Sequence, residues 1–185
     1  MSFSQSTHQM IDSKQIRQAS YLAMHPQMNK IYAVNTDTSP RDISVYLISE
    51  GKFTDMYDSP YHGDYAMTPK MVVSSDGKYI FNGAGTVFQS ANSKPANMQY
   101  VAAIASFDNI AFDMTGKTMY ASSKNMIQSY DYQTFNFNTS KTTEGEVLKL
   151  FYQDQQLITI SKVVPQGSKI PVYAVMVYNP QLMFS

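Results

Sequence analysis

Residues 109–135, NIAFDMTGKTMYASSKNMIQSYDYQTF, form a unit from which the rest of the chain is built, because weaker copies of it stand on both sides. Ile110 and Phe112 alternate with small or polar neighbours, Thr115 and Gly116 supply a turn, and residues 118–122 resume an extended pattern. Asn125 interrupts, and residues 126–131 make a third extended run that ends in Tyr130-Asp131. Short strands joined by tight turns and copied along a chain predict a repeat protein.

Upstream, residues 71–74 lead through Ser75-Asp76-Gly77-Lys78 into residues 79–82, and Asp-Gly between extended runs is a strong hairpin signal. Residues 86–90 and 98–103 complete that copy with a third and a fourth strand. The copy before it reads as strands over 21–24, 30–35, 43–48 and 53–56, with a turn at His25-Pro26. Downstream of the central unit, residues 135–139 make its outer strand. A fourth copy follows over 147–151, 156–161 and 172–178, with Tyr178-Asn179-Pro180 where Tyr130-Asp131-Tyr132 stood. Only a few residues remain where its own outer strand should run.

Aligning Lys30, Lys78, Lys117 and Gln156 gives separations of 48, 39 and 39 residues, at or near the roughly 40–50 residues of a four-stranded blade. Taken with a strand, an Asp-Gly-Lys or Thr-Gly-Lys turn, a strand ending in small polar residues and then Ile-x-x-Tyr-Asp-x-x-Thr-Phe, this resembles β-propeller blades of the YVTN-type, WD40-like and quinoprotein-like families. The expected fold is all-β, with four four-stranded antiparallel blades over residues 18–57, 66–105, 107–140 and 145–185, preceded by a polar lead-in over 1–17. Propellers of this style usually carry seven or eight blades, so the resemblance implies that the chain supplies part of a larger ring. A closed four-bladed ring and completion by a second copy remain open. The chain lacks Trp, and the Gly-His and Trp-Asp pairs of WD40 blades are absent, so no functional residue carries over from those families.

Composition narrows the function. Fourteen basic and fourteen acidic side chains cancel without a basic cluster, so nucleic acid is not an expected partner. No apolar run approaches the roughly 20 residues of a spanning helix, so membrane insertion by helices is not expected. The absence of cysteine removes thiol chemistry and suits either side of a membrane. A preceding leader would place the segment outside the cell or at its surface, and without one the cytoplasm is expected.

Tight turns at 75–78 and 114–117 mark one side of the blades as bland, and the long connections over 35–41, 58–69 and 163–171 are expected on the other. Binding residues concentrate in such loops. The stretch Asp58-Ser59-Pro60-Tyr61-His62-Gly63-Asp64-Tyr65 is the most suggestive, and Arg41, Tyr61, His62, Asp64 and Tyr65 are the candidate ligand-binding residues. Aromatic rings there could stack on a sugar or grip a peptide, and His62 with Asp64 could hold a metal. The competing reading is a polar turn closed by Pro60 and Gly63, with its tyrosines packed between blades. His8 and His25 read as solvated bystanders, Glu144 and Glu146 as solvated loop charge, and Gly83-Ala84-Gly85 as a turn and not a phosphate loop. The recurring Tyr46, Tyr130 and Tyr178 read as structural. No catalytic residue, cofactor or metal site is expected. A non-catalytic binding or scaffold module meeting a protein or glycan is therefore the expected function. The alternative is a fragment of a propeller enzyme, lactonase-like or quinoprotein-like, with its catalytic residues mostly outside these 185 residues.

Overall fold

A computed structural model describes residues 1–16 and 19–185. The expected boundary between the lead-in and the first blade, at 17 and 18, lies outside the described residues. Strands hold 49% of the chain and helix 2%, so the molecule is all-β, and all its sheets are antiparallel.

The chain divides into two compact units, residues 1–102 and 103–185. The first unit opens with a hairpin of β1 (Ser2–Phe3) and β2 (Met10–Asp12), set within the polar lead-in, which the sequence leaves open as a loose segment or the remains of a preceding strand. Asp12 fixes it: its Oδ2 accepts the Phe53 amide at 2.8 Å, and Ile11 packs over Gly51, whose φ is +77° and where a Cβ would come 3.0 Å from the end of the Ile11 side chain.

The first sheet is a meander of β3 (Tyr21–Met24), β4 (Lys30–Val34), β5 (Ile43–Ser49) and β6 (Lys52–Asp58). The second sheet follows with β7 (Met71–Val73), β8 (Tyr79–Asn82), β9 (Thr86–Gln89) and β10 (Tyr100–Ala103). Alternation works as the sequence implies. Tyr32, Val34, Ile43 and Val45 leave one face of the first sheet to meet Met71, Ile80 and Phe88 of the second, and Met98 of the β9–β10 connection, in a single apolar core.

In the second unit, β11 (Asn109–Asp113), β12 (Thr118–Ser123), β13 (Met126–Asp131) and β14 (Phe137–Thr142) form the third sheet. The outer strand starts later than expected from sequence, because Phe135 sits at φ +61° in a turn closed on Asp131. The fourth sheet has three strands, β15 (Glu146–Gln153), β16 (Gln156–Val163) and β17 (Val172–Tyr178), against the four expected. Where the outer strand was expected, Pro180 starts the short helix α1 (Pro180–Met183), capped by Asn179 Oδ1 accepting the Gln181 amide. Ala111, Tyr120 and Ile127 of the third sheet pack on Val147, Leu150 and Leu157 of the fourth.

Candidate functional site

In the first unit the β4–β5 loop and the β6–β7 loop are held against the ends of the strands by specific hydrogen bonds. Asn35 Oδ1 accepts the Asp42 amide at 2.9 Å and its Nδ2 donates to Thr38 Oγ1 at 2.7 Å, which closes the first loop on itself. Asn82, fully buried at the end of β8, accepts from the Thr68 amide and donates to the Thr68 carbonyl, which pins the second. Arg41 ties the two together by donating from Nη1 to the Met67 carbonyl at 2.8 Å. Residues 36–39, Arg41, Tyr65 and Met67 thereby line an open concavity of about 570 Å³.

The five candidate residues separate into two kinds. Tyr61 and Tyr65 are half-buried packing residues: the Tyr61 hydroxyl donates to Gln99 Oε1 at 3.0 Å and accepts the Tyr100 amide at 3.1 Å. Their rings meet edge to face at 4.8 Å, and Tyr65 stacks on Tyr100 at 4.3 Å and 6°. Burial, followed by the neighbouring Tyr61 and Tyr100 hydroxyls, raises the Tyr65 phenol above its ordinary value. Tyr65 nonetheless borders the concavity that Arg41 also lines.

His62 and Asp64 are exposed. The His62 amide donates to Asp64 Oδ2 at 2.9 Å, but the imidazole turns to Asp42, with Nδ1 3.1 Å from its Oδ2. That hydrogen bond, and then the Asp42 charge, raise the His62 pKa from its ordinary 6.5. The pairing His62–Asp42 joins residues 20 apart, and no local pattern in the sequence announces it. Among the described residues no cluster of three or more His, Cys, Asp or Glu is placed to hold a metal ion.

His25 departs from the solvated bystander expected from sequence. It is 4% exposed, its Nε2 lies 3.0 Å from the Gly77 carbonyl, and its Nδ1 accepts the Gln27 amide at 3.2 Å. The proton therefore sits on Nε2, which donates across to the Ser74–Tyr79 turn of the second sheet. Buried beside it, Lys30 donates from Nζ to the Ala91 carbonyl at 2.8 Å and to Asn92 Oδ1 at 3.1 Å. Both residues serve the junction between sheets. Glu144 and Glu146 are exposed, and Tyr130 is buried, with its hydroxyl accepting the Ala105 amide at 3.3 Å and donating to Gln128 Oε1 at 3.1 Å.

No protein-family model matches the chain, and no curated protein matches it. Solved structures do. Kuenenia stuttgartiensis hydrazine synthase superposes with a TM-score of 0.58 over 94% of this chain and 49% of that one, at 15% identity. The β-propeller domain of Myceliophteria thermophila Cps50 (Swd1) superposes with a TM-score of 0.57 over 77% of this chain and 47% of that one, at 10% identity. The fold is of β-propeller type. The computationally designed Ika4 protein is also similar, with a TM-score of 0.59 at 14% identity, covering 92% of this chain and 96% of that one. The chain thus spans about half of the first two proteins and nearly all of the third. At such identities the likeness carries the fold, and propellers host many unrelated activities.

Proposed function

We propose that this chain is a non-catalytic binding or scaffold module of propeller type, which meets a protein or glycan partner through the loops at 35–42 and 58–70. The observation that carries this reading is the concavity of about 570 Å³ where the two loops converge. Its wall combines a guanidinium, an aromatic ring and the hydroxyls of Thr36, Thr38 and Ser39, which together offer donors, acceptors and a stacking edge. The imidazole of His62 and the carboxylates of Asp42 and Asp64 lie on the same two loops. The blade chemistry is of the YVTN-type and WD40-like style, on the strength of the turns at 75–78 and 114–117 and of the Tyr130-Asp131-x-x-Thr134-Phe135 sequence.

Binding of the chain to a glycan array and to a tiled peptide library tests the proposal. Arg41→Ala and His62→Ala should each weaken the strongest interaction at least tenfold while leaving the melting transition in place. Unchanged binding by both variants would remove these loops as the contact face. Tyr61 is a poor probe, since truncating it would strip the Tyr100 amide of its acceptor and perturb packing as well as recognition.

A further inference from the structure

The second unit holds a cavity of its own. It measures about 510 Å³ and opens between the β11–β12 turn, the β15–β16 turn and the start of α1, so all of its walls lie within residues 103–185. The sequence reads the 114–117 turn as part of a bland side, because such turns are tight. Here the turns carry chemistry: Asp113 flanks the first and Asp154 belongs to the second, and Tyr120 and Tyr152 line the cavity with them.

Asp113 ends β11, and its Oδ1 accepts the Gly116 amide at 2.8 Å. A Cβ at residue 116 would fall 2.4 Å from Asp113 Oδ2, so glycine is what leaves that oxygen room. The Tyr152 hydroxyl donates to the same carboxylate; burial first, then that bond and the Asp113 charge, push its phenol up to about 12, and it stays protonated through neutral pH. Burial, and after it the Asp113 charge, do the same to Tyr120. Tyr120 is buried, with the Tyr152 ring 18° from parallel at 5.8 Å and the Phe184 ring 23° from parallel at 5.6 Å, so the rings fix one another. Asp154 sits in a two-residue hairpin turn at φ +50°, which sets the place of its carboxylate.

We infer that this cavity binds a guanidinium group, that of an arginine side chain in a peptide. Two carboxylates and two tyrosine rings line it, and among the described residues no lysine or arginine does. The charge of Lys117, in the first turn, bears on Asp131. A planar guanidinium can donate in parallel to a carboxylate and lie against a tyrosine ring, and it brings the positive charge that the two aspartates lack. A neutral sugar would use the rings but leave both charges without a counterpart. The site stands apart from the loops at 35–42 and 58–70 in the chain and takes a different ligand. One side chain in an open cavity gives a Kd on the order of 1 mM, weaker than a whole peptide or glycan held by those loops.

The test is a titration of the isotopically labelled 185-residue chain with Nα-acetyl-arginine amide, followed by amide NMR shifts. Saturable shifts at residues 113–116 and 152–155 are expected, weakening as salt rises. Nα-acetyl-citrulline amide, the neutral probe of the same shape, should bind roughly fivefold more weakly. Asp113→Asn together with Asp154→Asn should bring the arginine probe down to that level. Asn keeps an oxygen for the Gly116 amide and tolerates the left-handed turn, so the melting transition should stay in place. The comparison of the two probes needs no variant at all. Arg41→Ala should leave this binding untouched, which separates a failure here from a failure of the loop-face reading. Equal binding of the two probes would mark a neutral polar pocket and overturn the inference, as would undiminished binding by the folded double variant. Shifts confined to the loops at 35–42 and 58–70, or no saturable shift at all, would overturn it too.

Discussion

Asp131 accounts for the sequence Tyr-Asp-x-x-Thr-Phe at the level of single atoms. Its Oδ1 accepts the Thr134 amide at 2.7 Å, the Gln133 amide at 2.9 Å and the Thr134 hydroxyl at 2.9 Å, and these bonds, the Thr134 amide first, hold its carboxyl below the usual range. Every partner lies within three residues, which is why the motif is legible in the chain itself. His25 is the opposite case, since its partner Gly77 is 52 residues away. Glycine is required there: φ is +74°, and a Cβ would fall 2.4 Å from His25 Nε2. Burial first, and the nearby Lys30 charge, lower the His25 pKa from 6.5, against the opposing Gly77 hydrogen bond. A lowered folded value means that the unfolded chain takes up the proton first as pH falls. His25 therefore costs stability from pH 6.5 downward to its folded value. His62 has the opposite sign, because its raised pKa gives stability that is lost as pH rises through the folded value. In a His62→Ala background, urea unfolding should show stability climbing as pH rises toward 6.5, and adding His25→Gln should flatten that slope. A slope that survives the second change would place the titration elsewhere.

Between elements, the junction of the first and second sheets rests on a buried polar network inside an apolar core. The Tyr32 hydroxyl donates to Asn97 Oδ1 at 2.7 Å and sits 2.8 Å from Ser90 Oγ; Asn97 in turn takes the Ala91 amide and donates to the Tyr57 hydroxyl. Burial is the main reason the Tyr32 phenol rises to about 12. Replacing Asn97, 1% exposed, by Ala orphans the Ala91 amide and deprives two hydroxyls of a partner. The expected loss in chemical denaturation is about 3 kcal/mol, and a loss below about 1 kcal/mol would mean that water replaces the amide. The strands themselves were legible, because period-2 alternation and turn residues are local. The Asn97 network was not, since its partners sit 65 and 40 residues away. The late start of β14 follows from the left-handed Phe135, which no residue preference signals. The hairpin β1–β2 hangs on Asp12 reaching Phe53, a pairing that a polar Ser-rich stretch does not advertise.

At the scale of the molecule, repetition explains what could and could not be read. A repeat copies architecture, so the resemblance among four stretches gave the propeller-type fold. Function resides in what is not copied. Arg41 and Tyr65 stand on different loops 24 residues apart, and their shared concavity arises only because Asn35, Asn82 and Arg41 tie those loops to the strand ends. In the sequence Tyr61 and Tyr65 read either as rings for a ligand or as tyrosines of a packed turn, and the fold employs them largely as packing. On the proposed reading, recognition by the loop side would rest mainly on Arg41, His62 and the hydroxyls around them. Amide hydrogen exchange of the chain, alone and with the strongest glycan or peptide from the array, tests that claim most directly. The prediction is new protection confined to residues 35–42 and 58–70, with the tight turns at 75–78 and 114–117 unchanged. Protection appearing at those turns, with none at the two loops, would contradict the account.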